Sequence, residues 1–206
     1  DFNKDKISME VVTGNSQFAF DIFKQLNKED GAQSIFISPL SISTALTMTY
    51  QGAGTTTKEA MAQTLGYTVI NDLKLNESYQ NLLRYLRQLD KKVELNIGNS
   101  LWIREGEAIK EDFLAANRDI FDASVTPLDF SQKNAAGQIN QWIADVTKKK
   151  ITKMIDPPIP ADIVMYLINA IYFKGDWTEQ FNKKHTYGTQ FHAGDGSTCE
   201  VMMMSR

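Results

Sequence analysis

From Ile163 to Phe173 the chain reads Ile-Val-Met-Tyr-Leu-Ile-Asn-Ala-Ile-Tyr-Phe, apolar at nearly every position, with Asn169 as the exception. A surface helix would show one apolar stripe and a half-exposed strand would alternate, so a run without a polar face predicts a central strand covered on both sides. At about 3.3 Å per residue it is a long strand, which requires a sizeable sheet and helices layered against it. Asn169 must find hydrogen-bond partners, because an unpaired buried amide costs about 1 to 3 kcal/mol. The run falls short of the roughly 18 apolar residues that span a bilayer, and no other segment comes closer.

Before this strand the pattern is mostly helical. Phe18, Ala19, Ile22, Phe23 and Leu26 predict a helix over about 16–27, stopped at Lys28-Glu29-Asp30-Gly31. The β-branched stretch Ser34-Ile-Phe-Ile37 runs into Ser38-Pro39, a helix start with serine as N-cap and proline at the first helical position. Ile42, Ala45, Leu46 and Thr49 mark its expected inner face, and Gly52-Ala53-Gly54 its end. Thr56 and Glu59 have capping-box spacing for a third helix closed by Gly66. A fourth, over about 76–90, is expected to turn Tyr79, Leu82, Leu83, Leu86 and Leu89 inward.

The period then changes from helix to strand. Val93, Leu95, Ile97, Asn99, Leu101 and Ile103 take every second position, which predicts a long half-buried strand. Phe113, Leu114, Asn117, Ile120 and Phe121 return to helix. Val125–Phe130 reads as a short strand despite Pro127, and Ser131 as the cap of a helix with the face Ile139, Trp142, Ile143 and Val146. The Lys148-Lys149-Lys150 end suits that helix's dipole. Asp156-Pro-Pro-Ile-Pro160 is a stiff connector, and His185–Met204 reads as shorter strands around Gly194-Asp195-Gly196. Helices first, then strands interleaved with helices, make the class α+β.

Composition narrows the function classes. With 22 Lys+Arg against 25 Asp+Glu the net charge is −3, and the pI near 5.5 argues against a nucleic-acid binder. Cys199, the single cysteine of the 206 residues, cannot form an intrachain disulfide. The polar lead-in Asp1–Asn15 has no basic start followed by an apolar core. It reads as an amino-terminal extension, either frayed or docked through Val11-Val12, ahead of one domain over 16–206.

Chemistry is sparse. Two histidines, His185 and His192, sit in no triad, nucleophile-elbow or phosphate-loop context, so no catalytic residue is assigned. An enzyme using either histidine is retained only as a reading to test by replacing both. His185, His192 and Cys199 are spaced by seven, an odd interval that sends strand side chains to opposite faces. Surface histidines and a packed thiol are therefore expected, with no metal and no other cofactor. Arg84, Arg87, Lys91 and Lys92 stack along one side of the fourth helix, which is either a solvated face or a polyanion site. Asn76-Glu77-Ser78 is one glycosylation pattern.

Three segments go further. Ser34-Ile-Phe-Ile-Ser-Pro-Leu-Ser-Ile-Ser-Thr-Ala-Leu46 resembles the strand-to-helix signature of the serpins. Asn169-Ala-Ile-Tyr-Phe-Lys-Gly-Asp-Trp177 with Phe181 after it is similar to the family's most recognisable internal motif, and Asn99-Ser-Leu-Trp102 to its counterpart in the earlier strand. Val201-Met-Met-Met204 is similar to the segment that succeeds the first hairpin after that motif, and order and spacing agree from about residue 16 onward. The resemblance implies the serpin fold, helices around a large main sheet with further sheets. It also implies a suicide inhibitor of serine or cysteine proteases whose reactive loop, once cleaved, inserts into the main sheet. A non-inhibitory carrier, chaperone or storage serpin is the alternative, and an extracellular location is the family expectation.

By the same resemblance Ser38, Ser41 and Asn169 match the shutter, the polar cluster beneath the point where the strands part. Trp177 matches the breach, where insertion begins. The helix of Ile139, Trp142, Ile143 and Val146 matches the one lying across the sheet. On the residues alone, Ser38 can be an N-cap and nothing more, and Trp177 plain core. The family's reactive loop and later strands have no counterpart in these residues. The expectation is therefore an amino-terminal part that needs the remaining segment, in the same product or as a second chain, to cover its apolar faces and sheet edges.

Overall fold

The computed structural model describes residues 2–29, 34–90 and 92–206. In chain order the elements are α1 (Met9–Glu29), α2 (Pro39–Tyr50), α3 (Thr55–Leu65), α4 (Asp72–Gln88), β1 (Val93–Arg104), α5 (Glu111–Phe121), β2 (Ser124–Leu128), α6 (Ala135–Val146), β3 (Met165–Gly175), β4 (Tyr187–His192) and β5 (Thr198–Met203). The class is α+β, as the pattern predicts.

Several helix boundaries move for identifiable reasons. α1 starts at Met9, taking in Val11, which is completely buried, so the second half of the polar lead-in is helical. The expected stop at Asp30-Gly31 lies outside the described residues. At the start of α3, Gly54 stands at the N-cap with no side-chain bond, so Thr56 is not the cap. Gly66 closes α3 with φ +76, and α1 crosses so near that a Cβ on Gly66 would lie 2.7 Å from Gly14 Cα. α4 begins at Asp72, capped by Asn71, and ends before Leu89, which is exposed rather than inward. Ser131 does not cap α6: its hydroxyl and amide both turn back to Asp129, and the helix begins four residues later.

α2 is buried differently from its apolar pattern. Ser43, Thr44, Thr47 and Met48 are buried, Ile42, Ala45 and Leu46 do not form its innermost stripe, and Thr49 is exposed. The helix is enclosed on several sides, by α1, α3 and β3. Small hydroxyl residues allow close approach there, and Ser43 and Thr47 return their protons to the helix, to the Leu40 carbonyl at 3.1 Å and the Ser43 carbonyl at 2.6 Å.

The main sheet is mixed, in the order β2-β1-β3. β1 runs parallel to β2 and antiparallel to β3, with Asn99 opposite Asn169. Pro127 pairs with Ile103 from the edge strand β2, where a missing amide is tolerated. One face of the sheet packs Ile97, Leu101, Leu167 and Ile171 against α1, α2, α4 and α5. The other packs Trp102, Tyr166 and Ile168 against α6. β1 is consequently buried on both faces from Asn99 to Ile103, not half-exposed.

α6 comes so close that a Cβ on Gly98 would lie 2.8 Å from both methyls of Val146. The long apolar strand keeps one part of its expectation and loses the other: α2 and α6 cover its two faces, but it is not central. β3 lies at the edge of the described sheet, with Ala170 its one fully buried residue and Phe173 66% exposed, because β1 flanks it on one side only. Beyond it, β4 and β5 form an antiparallel hairpin with Tyr187, Phe191, Met202 and Met203 exposed. Ser34–Ile37 belongs to no helix or strand, and Phe36 is fully exposed.

Candidate functional site: a polar seam beneath the sheet

Where the first turn of α2 meets β3, the apolar face of the sheet is interrupted by polar side chains. Ser38 is the N-cap of α2, its backbone extended and its Oγ accepting the Ser41 amide at 3.4 Å. That turn aims Ser41 at the sheet, where its hydroxyl donates to Asn169 Oδ1. Asn169 Nδ2 donates to Asn99 Oδ1 at 2.6 Å, and Asn99 Nδ2 donates to the Phe121 carbonyl at the end of α5 at 2.7 Å. The period of two places Asn99 and Asn169 on the same sheet face as Leu101 and Leu167.

The seam thus ties α2, β3, β1 and α5 together in one direction of donation. Among the described residues no ionisable side chain hydrogen-bonds to these four. Each member leaves a partner unsatisfied if removed, at about 1 to 3 kcal/mol. Hydrogen bonds of this kind can be exchanged for others when a new polar partner is offered, as an apolar contact cannot.

The predicted residues Ser41 and Asn169 meet, and Ser38 supports them from the cap. Asn99 enters from sequence as a member of the β1 stripe and of a motif but not as a site residue, although an amide on the inner stripe between Ile97 and Leu101 is a signal of its own. Trp177 lies two residues past β3 and is 66% exposed, so it is not core. Its ring meets Phe181 edge-on at 5.5 Å, and Arg206 sits over Phe181 while pairing with Glu179 at 3.0 Å.

Of the basic residues singled out in the sequence, Arg84 and Arg87 lie on α4. α4 ends at Gln88, before Lys92, and Lys91 lies outside the described residues. Arg87 is committed to Asp122 at 2.5 Å and to the Ile97 carbonyl at 3.0 Å, and Arg84 is half-buried. His185 lies in a 3-10 turn and His192 on β4, while Cys199 on β5 is exposed rather than packed. Asn76-Glu77-Ser78 lies inside α4, with the Ser78 hydroxyl buried against the Ser8 amide.

The family model for serpin (serine protease inhibitor) matches residues 13–206. The chain belongs to the serpin family. Its serpin signatures fall on the entry to α2, on β1, and on β3 through Phe181, and these three elements meet at the seam. Among relatives, it is 32% identical to a leukocyte elastase inhibitor of Xenopus laevis, over 92% of this chain and 51% of that protein. Among solved structures, a cleaved kallistatin complexed with heparin matches with a TM-score of 0.87 at 26% identity, over 95% of this chain and 58% of that one. A reactive-loop-cleaved human thyroxine binding globulin matches with 0.84 at 30% identity, over 93% and 57%. The chain spans about half the length of the curated relatives it matches.

Proposed function

We propose that the whole serpin to which these residues contribute is not an enzyme but an inhibitor of serine-type endopeptidases, cysteine proteases being the second target class. A reactive loop outside these residues is cleaved as substrate and then joins the main sheet as an added strand beside β3, trapping the acyl-enzyme. The observation that carries this reading is the seam: Asn169, on a strand with one unpaired edge, holds that strand to α2 and β1 by hydrogen bonds that can be exchanged.

In this reading Ser38, Ser41, Asn169 and Asn99 act as the shutter, and exposed Trp177 marks the breach. α6, seated in the notch at Gly98, is the helix that yields during insertion. Similarity to an elastase inhibitor adds support. A polyanion site is left out of this reading, because Arg87, the centre of its basic cluster, is already neutralised by Asp122.

The test is incubation of the whole serpin with trypsin-, chymotrypsin- and subtilisin-like proteases. A denaturant-stable band at the summed mass is expected with at least one. Cleaved serpin beside free protease in every case would overturn the reading. That outcome would favour the alternative, a non-inhibitory serpin that carries a ligand, to which the likeness to thyroxine binding globulin points.

A further inference from the structure

Behind the seam, α1, α2 and α4 meet around a chain of buried hydroxyls. Thr47 on α2 donates to the Ser43 carbonyl at 2.6 Å, and its Oγ1 lies 2.7 Å from the hydroxyl of Tyr67, in the connection between α3 and α4. The Tyr67 and Tyr79 hydroxyls are 2.6 Å apart, and Tyr79, on α4, reaches Asn15 Oδ1 on α1 at 3.1 Å. Thr47 and Tyr79 are completely buried and Tyr67 almost so. Burial, with Tyr79 beside it, pushes the Tyr67 phenol far above its usual range, so it keeps its proton. Asn15 Nδ2 donates to the Val11 carbonyl at 3.0 Å, which fixes Oδ1 as the atom facing Tyr79.

The chain contains four oxygen–oxygen contacts and three hydroxyl hydrogens, so one contact always lacks a hydrogen. If Tyr79 donates to Tyr67 and Tyr67 to Thr47, the gap falls at Asn15, on α1. If Tyr79 donates to Asn15 and Tyr67 to Tyr79, the gap falls at Thr47, on α2. The two states differ only by rotation of hydroxyls.

We propose that Asn15 and Thr47 compete for the tyrosine hydrogens, so that Asn15 is a positioning residue that sets how firmly α2 is held. α2 carries Ser41 and is capped by Ser38, so on the inhibitory reading, and resting on it, the same competition sets how readily the sheet opens.

Hydrogen exchange of the α2 amides at neutral pH, referenced to α6 in the whole serpin, tests the competition without needing inhibition. Asn15→Asp supplies a charged acceptor that draws the hydrogens toward α1. It should speed α2 exchange by about threefold to tenfold, the factor carried by one net hydrogen bond. Asn15→Leu, which removes the competitor, should not speed it, and Asn15→Asp should have no effect in a Thr47→Val background. Tyr79→Phe leaves two contacts and two hydrogens, so it should not loosen α2 although a buried hydroxyl is lost. Faster exchange in Asn15→Leu or Tyr79→Phe, or an Asn15→Asp effect that is absent or survives Thr47→Val, would overturn the proposal. The expected exchange pattern in a protein that traps no protease would uphold it and sink the inhibitory reading alone.

Discussion

Leu101 and Phe173 are apolar residues on neighbouring strands of one sheet, and they fare oppositely. Leu101 is completely buried between α-helices and the strand ladder, whereas Phe173 is 66% exposed at the end of β3. The helical side of the molecule has finished its packing: helices close over β1, and its buried hydroxyls and amides have partners with few exceptions. The side from β3 onward has an equally apolar sequence but an open sheet edge and an exposed hairpin face. Among the described residues nothing covers this apolar surface. In a serpin that is where the inhibitory movement is proposed to occur.

Substitutions in the whole serpin can break or sharpen this contrast. The largest effect is expected from Leu101→Ala on the packed side, about 2 to 5 kcal/mol in urea unfolding, since its surroundings are too well braced to collapse. A loss well under that range would mean the packed face is not the source of stability. Next comes Gly98→Ala, which drives a Cβ into Val146 and should cost about 1 to 3 kcal/mol. Adding Val146→Ala should recover part of it, whereas simple additivity would contradict the proposed notch.

At the boundary between the two regions, Asn169→Ala and Asn99→Ala should each cost about 1 to 3 kcal/mol by orphaning the other's amide. The double replacement should cost less than the sum, and strict additivity would show that the seam is not one network.

The smallest effect concerns pH. Hydrogen bonds from Ser8 and Lys74 hold the Glu10 carboxyl down at about 2, from an ordinary value of 4.5. Its contribution is therefore complete above about pH 4.5 and is lost as pH falls toward 2. Glu10→Gln should flatten the stability profile in that window. An unchanged acid limb would show that Lys74 does not tie α1 to α4.

Much of this is legible in the residues. The period-two stripe of β1, the Ser38-Pro39 start of α2 and the Asn169 interruption all mark what the structure contains, and two of the seam's members derive from them. The illegible part depends on neighbours distant in sequence. Burial of Ser43 and Thr47 in place of Ile42 and Leu46 results from α2 being enclosed on several sides, which periodicity within one helix cannot express. Asn99 gains its meaning only from the register that sets it opposite Asn169. Periodicity within α4 also cannot show that Arg87 pairs with Asp122, 35 residues away, across the end of α5. The apolar run of β3 reports the cover on its two faces and not its place in the sheet, because composition reflects what packs on a strand and not which strands flank it.

The central claim is that the open edge of β3 takes up an added strand after loop cleavage. Thermal unfolding of the whole serpin before and after limited proteolysis of its reactive loop tests this most directly. The account predicts a higher midpoint after cleavage, because the inserted strand satisfies the edge and covers the seam. An unchanged or lower midpoint would contradict it.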